Sequence, residues 1–181
     1  MKKILALVLA LMMVLTAVSA MAAGSPETPG GKTGGGSGAG YYADTTTEDA
    51  QLSKAGDTDG TKAIKQLLID GNAAGDPLSL LPDDVKAKIP ADQKKVNEMV
   101  TYQLTGDVSK SNPLTLVLVF ETKYAEGEEV TILLGIPAGS KTEWIVLKGK
   151  GNKDGAVVVT LDKATMNKLG NNPFVVIPVS K

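Results

Sequence analysis

The rhythm of apolar and polar positions changes along the chain, and each change marks a different kind of element. From Ile4 to Leu15 the run is unbroken and apolar, with Lys2 and Lys3 before it and small residues including Ala20-Met21-Ala22 after it. A basic start, a short apolar centre and a small-residue cleavage site are the plan of a secretory signal peptide, here residues 1–22. The run is well short of the roughly 20 residues that a permanent bilayer-crossing helix needs. Residues 23–50 bury almost nothing. Gly34-Gly35-Gly36-Ser37-Gly38 has a flexible-coil composition, and Tyr41-Tyr42 with the polar Asp44–Asp49 stretch extends this Gly/Ser/Pro/Thr-rich tether.

A period near 3.6 then appears. Ile64, Leu67 and Leu68 recur at i, i+3 and i+4, which predicts a helix from about Thr61 to Gly71-Asn72. A second short helix opens with Pro82 and closes before Pro90. Asp83 and Asp84 lie near its positive end, and Leu81, Val85 and Ile89 lie on one side. Neither helix is long enough to be stable alone, so residues 51–94 form a helical section that must pack on a larger body.

From residue 95 to 181 the period falls to two. Val100, Tyr102 and Leu104 alternate with polar residues. Leu114, Leu116, Leu118 and Phe120 keep the same period, as do Val130, Ile132 and Leu134. Glu143–Lys148 and Ala156–Leu161 flank Asn152-Lys153-Asp154-Gly155, whose Asp-Gly pair predicts a hairpin reversal with positive φ at the glycine. Phe174–Val179 makes a sixth strand, and Pro178, which has no N–H to donate, places it at a sheet edge. Asp162 and Gly170 are the natural caps of a short helix before it, with Leu161 and Met166 as a hydrophobic staple. Short strands without long crossover helices favour an antiparallel sandwich. Its inward set is Leu116, Leu118, Phe120, Ile132, Leu134 and Val159.

The runs Tyr124-Ala125-Glu126-Gly127-Glu128-Glu129-Val130-Thr131-Ile132, Glu143-Trp144-Ile145-Val146 and Asp154-Gly155-Ala156-Val157-Val158-Val159 resemble small immunoglobulin-like modules at the C-termini of uncharacterised secreted bacterial proteins. The resemblance covers about Val96 to Lys181 and implies no catalytic or ligand residues. The expected fold is therefore mainly β with a small α section: an antiparallel six- to seven-stranded immunoglobulin-like sandwich preceded by two short helices.

Composition narrows the chemistry. The chain has no Arg, His or Cys. Imidazole bases, thiol nucleophiles, disulfides and the nitrogen and sulfur ligands of zinc sites are thereby removed, as is the bidentate arginine grip on phosphate. Losing Lys2 and Lys3 with the signal leaves 17 lysines against 20 acids, a net charge of −3. That balance provides no footprint for nucleic acid, and no stable membrane anchor is expected after signal cleavage.

Candidate sites each have a simpler structural explanation. Asp57-Thr58-Asp59-Gly60 has the spacing with which calcium loops begin, but the twelfth position is Leu68, so an acidic turn capping the next helix is the better reading. Glu126, Glu128 and Glu129, with Glu121, could supply the paired carboxylates of a glycan hydrolase or the oxygens of a weak calcium site, but they surround Gly127 in an apparent turn. Trp144 could stack on a sugar ring, and its apolar neighbours point instead to near-core packing. Lys141, Lys148, Lys150 and Lys153 could gather as a weak anion patch at one end of a hairpin. The expectation is a secreted, non-catalytic binding or structural module with no cofactor and no catalytic or metal residues. Its partner is an extracellular protein or glycan, with Trp144, Tyr124, Glu126, Glu128 and Glu129 as the ligand-surface candidates. The alternatives are a small carboxylate-dependent glycan hydrolase and a calcium-stabilised accessory domain.

Overall fold

The computed structural model describes residues 31–33, 41–44, 50–106 and 113–181, so the segment expected to be a signal peptide and most of the segment expected to be a tether lie outside the described residues. The strands are β1 (Gly31–Thr33), β2 (Tyr41–Asp44), β3 (Ala50–Lys54), β4 (Lys95–Val96), β5 (Val100–Gly106), β6 (Leu114–Leu118), β7 (Glu129–Ala138), β8 (Lys141–Gly151), β9 (Val157–Leu161) and β10 (Pro173–Ser180). The helices are α1 (Asp59–Ala73) and α2 (Asp83–Lys86), between β3 and β4, and α3 (Lys163–Leu169), between β9 and β10. All strand pairs are antiparallel. They form one sheet in the order β1-β2-β6-β9-β8-β7-β10-β5-β3, with β4 beside β10, and the sheet curls into a half-barrel.

The alternation predicts the inner face well. Leu116, Leu118, Phe120, Ile132, Leu134 and Val159 all belong to one buried cluster with Tyr102, Leu104, Val157, Phe174 and Val176. Leu169 and Met166 of α3 join it, so this short helix closes part of the half-barrel's interior. Asp162 caps α3 as expected, its carboxylate accepting from the Thr165 amide at 2.7 Å. Gly155 takes φ +77 in the β8–β9 turn, and the Asn152 Oδ1 accepts from the amides of Asp154 and Ala156 at 3.0 and 2.9 Å.

The two central strands, β7 and β10, are buried on both faces. Their second face carries Leu133, Val175, Ile177 and Val179, which pack under Ile64 and Leu68 of α1 and under Leu78, Leu81 and Val85. α1 is capped by Thr58, whose side chain and that of Thr61 close a reciprocal capping box. The helix can sit this low because residue 135 is glycine: a Cβ there would lie 2.8 Å from Ile64 Cγ2 and 3.2 Å from Trp144 Cζ3. The second helix is shorter than the sequence predicts. Regular helix stops at Lys86, and tight turns carry the chain on, with Ile89 N donating to Lys86 O at 3.0 Å.

Four expectations change. The strands make one continuous curled sheet where a two-sheet immunoglobulin-like sandwich was expected, because every strand from β1 to β3 has a hydrogen-bonded neighbour along a single path. The two helices do not precede the sheet; they are inserted between β3 and β4, and Ala50–Lys54, which spans the end of the expected tether and the start of the expected helical section, is a strand paired with β5. Tyr41–Ala43, read as tether, pairs with β6. Finally, β10 is central. Pro178 is tolerated there because β10 changes partner at that point: Val176 is the last residue opposite β5, and Val179 is the first opposite β4. A missing donor costs least where the ladder already breaks.

Candidate functional site

The sequence-predicted residues separate in space. Tyr124 is buried, not a surface ligand residue; its ring meets Phe120 edge-on, with centroids 6.1 Å apart and planes at 79°. Burial pushes its phenol up to about 12, with Glu98 and Glu128 adding to the rise and Asn97 opposing it. Trp144 lies opposite Gly135 on β7 and is partly buried against the helical cluster, so one face of its ring is occupied.

Glu126 is exposed at the turn before β7, and Glu128 uses its carboxylate locally, accepting from Ala125 N at 2.8 Å. Glu98 braces the segment before it, accepting from Glu121 N and Thr122 N at 3.3 and 3.2 Å. Glu129 opens β7 opposite Lys150. Among the described residues, no group of three or more Asp or Glu side chains is placed to hold a metal ion. Asp57 is also committed: it accepts from Lys65 Nζ at 2.7 Å, from Thr101 Oγ1, and from Thr61 Oγ1 at 3.5 Å. These contacts, Lys65 first, hold its carboxyl below the usual carboxylate range.

A groove lies elsewhere, and strand registers explain it. β7 and β8 pair along their whole length, from Glu129–Lys150 to Ala138–Lys141. β9 pairs fully with β6 but meets β8 only at Lys150–Val158 and Gly151–Val157. Beyond those two pairs β8 and β9 part. The resulting open groove of about 340 Å³ is lined by Val130, Thr131, Gly149, Val158 and Thr160, with Glu129, Lys148 and Lys150 beside them and Pro90 and Gln93 as the opposite wall. Trp144 and Val146 face the helical cluster, so the two-residue period puts Lys148 and Lys150 on the same outer face. Val158 and Thr160 share it, because Val157, Val159 and Leu161 point into the core.

Gln93 fixes the wall. It is 3% exposed. Its Nε2 donates to Glu129 O at 2.7 Å, and its Oε1 accepts from Thr131 N at 3.1 Å and from Thr131 Oγ1 at 2.5 Å. The amide thus occupies main-chain groups of β7 near where β10 ends, and ties the loop after α2 to the sheet. The charges beside it are uneven. Lys148 and Lys150 are exposed and make no ion pair among the described residues. Glu129 also acts on Lys181, whose ammonium is held above its ordinary value by Asp92 first, at 2.8 Å, and by Glu129 and Glu128 after it.

Of the lysines that the sequence grouped as an anion patch, Lys148 and Lys150 line the groove, whereas Lys141 and Lys153 do not. Gln93, Pro90, Thr131, Val158 and Thr160 were not legible as site residues. Nothing in a polar residue after a short helix signals that its partners lie 36 and 38 positions later.

Among the described residues, no helix is long and apolar enough to cross a membrane. Compared with protein-family models, curated proteins and solved structures, the chain matches none of them.

Proposed function

We propose that this chain is an exported, non-catalytic binding module and that the groove between β8 and β9 is its ligand site. The groove itself carries the reading: about 340 Å³ of open space, small apolar and hydroxyl side chains on its floor, and beside it two lysines without ion-pair partners among the described residues. Ligand sites are concave, mostly apolar and furnished with a few convergent polar groups, and this one is at the small end of their range. Export rests on Lys2-Lys3, the apolar run to Leu15 and Ala20-Met21-Ala22. A binding role is favoured over catalysis because the chain has no His or Cys, and Glu126, Glu128 and Glu129 sit at an open turn rather than in an apolar setting that would tune an acid. No observation favours the hydrolase or the calcium-stabilised domain. The partner is an extracellular protein or glycan.

The test is a screen of surface proteins and glycans against the exported protein and its Thr160→Trp variant, which fills the groove from an exposed position. Ligands retained by the parent should be lost by the variant while the melting curves coincide. Equal binding by both would overturn the groove as the site. Full-length protein in the membrane pellet of a producing culture would overturn the cleaved signal.

A further inference from the structure

We infer that the ligand of this groove is an extended peptide segment carrying acidic side chains at alternate positions, matched to Lys148 and Lys150. The inference rests on the proposal that the groove is the ligand site, and goes beyond it by naming the chemistry.

Three observations carry it. Lys148 and Lys150 are two residues apart on one face of β8. That spacing is about 6.6 to 6.8 Å, which is also the repeat between same-face side chains of any extended peptide. A peptide laid along β8 with Glu or Asp at positions i and i+2 therefore meets both ammonium groups in register. Second, neither lysine has an ion-pair partner among the described residues, although Lys65, Lys86, Lys168 and Lys181 all do. Their charge remains available to a ligand. Third, among the described residues no aromatic side chain lines the groove, whose walls are Pro, Val, Thr, Gly and Gln apart from the charged residues. A sugar ring would find no stacking face there, whereas the backbone and short side chains of a peptide suit a floor of Thr131, Val158 and Thr160.

Glu129 sets the polarity. It lies opposite Lys150 at one end of the groove, and Thr131 lies opposite Lys148. An acidic ligand is repelled by Glu129 and drawn toward Lys148, so Lys148 is the dominant contact. Lysine offers a point charge and no bidentate grip, so recognition should tolerate either Asp or Glu and weaken with salt.

The experiment is a fluorescence-anisotropy titration of the full chain with labelled Thr-Glu-Val-Glu-Thr and Thr-Gln-Val-Gln-Thr peptides, and by competition with polygalacturonate and a neutral glucan. The glutamate peptide should bind and the glutamine peptide should not. Lys148→Gln should weaken binding about fivefold, Lys150→Gln somewhat less, and the double variant about 20-fold. Raising the ionic strength from about 0.05 M to about 0.5 M should weaken the parent's binding further. Both lysines are exposed, and coincident melting curves would show that the variants still fold. Absence of glutamate-peptide binding, equal binding of the glutamine peptide, an unaffected double variant, or preference for polygalacturonate would each overturn the acidic-peptide inference. If Thr160→Trp removes binding of any probe that the lysine variants leave intact, the groove stands as the site and only its assigned ligand class fails. If neither Thr160→Trp nor the lysine variants alter any binding, both ideas fail.

Discussion

Phe120 and Tyr124 lock the interior of the half-barrel through an edge-to-face pair. Phe120→Ala would leave a cavity beside the Tyr124 ring as well as losing burial, so it should cost about 3 to 5 kcal/mol; a denaturant melt showing less than about 1 kcal/mol would mean that the chain after β6 does not turn inward. Gln93 is the polar counterpart. Gln93→Ala strands the Thr131 amide and hydroxyl and the Glu129 carbonyl, so a loss of about 1 to 3 kcal/mol is expected in the same assay. Asp57 links stability to pH. Its folded pKa lies below its ordinary 3.8, chiefly because Lys65 and then Thr101 donate to it. The unfolded chain therefore takes up a proton first, and the stabilisation is complete above about pH 4 and lost as pH falls through the folded value. Asp57→Asn should flatten the decline in melting temperature below pH 4, and an unchanged slope would show that Asp57 is not ionised and paired there. At this scale the sequence revealed which side chains face inward, since period two is a local property. It gave no sign of Gln93 or of Asp57's bond to Thr101, because those partners are distant in sequence and in part main-chain atoms.

Elements were legible where a single residue type imposes geometry. Asp154-Gly155 reversed the chain, and Asp162 with Gly170 bounded α3. The sheet's edges were not legible, because strand order depends on which distant segments meet. Pro178 shows why: a missing donor suggests an edge, but a central strand that exchanges β5 for β4 supplies the same relief. The seat of α1 gives a test at this scale. Gly135→Ala would drive a Cβ against Ile64 and Trp144, in a position where the helix packs directly on β7. Destabilisation of about 1 to 3 kcal/mol is expected from a denaturant midpoint, since overpacking forces side chains or the helix to shift. Ile64→Ala, itself a core truncation, should cost less in the Gly135→Ala background than in the parent if the clash is the cause, and an equal cost in both would show that the helix seat is set elsewhere.

For the molecule as a whole, alternation along the strands could not separate two stacked sheets from one sheet that curls. Both arrangements bury alternate residues, and only the hydrogen-bonded order distinguishes them. Full burial of β7 and β10 on both faces blurs the pattern further, since Leu133, Val175 and Ile177 are apolar for the helices' sake rather than for the inner core. The short β8–β9 ladder of two residue pairs leaves the groove open beside it. The account stands most directly on that groove. An amide-resolved NMR titration of the full chain with the alternating-glutamate peptide, the glutamine peptide and acidic and neutral oligosaccharides would locate any bound probe. The account predicts shift changes concentrated at Lys148, Gly149, Lys150, Val158 and Thr160 and absent in Thr160→Trp; changes centred elsewhere, or unaltered by Thr160→Trp, would contradict it.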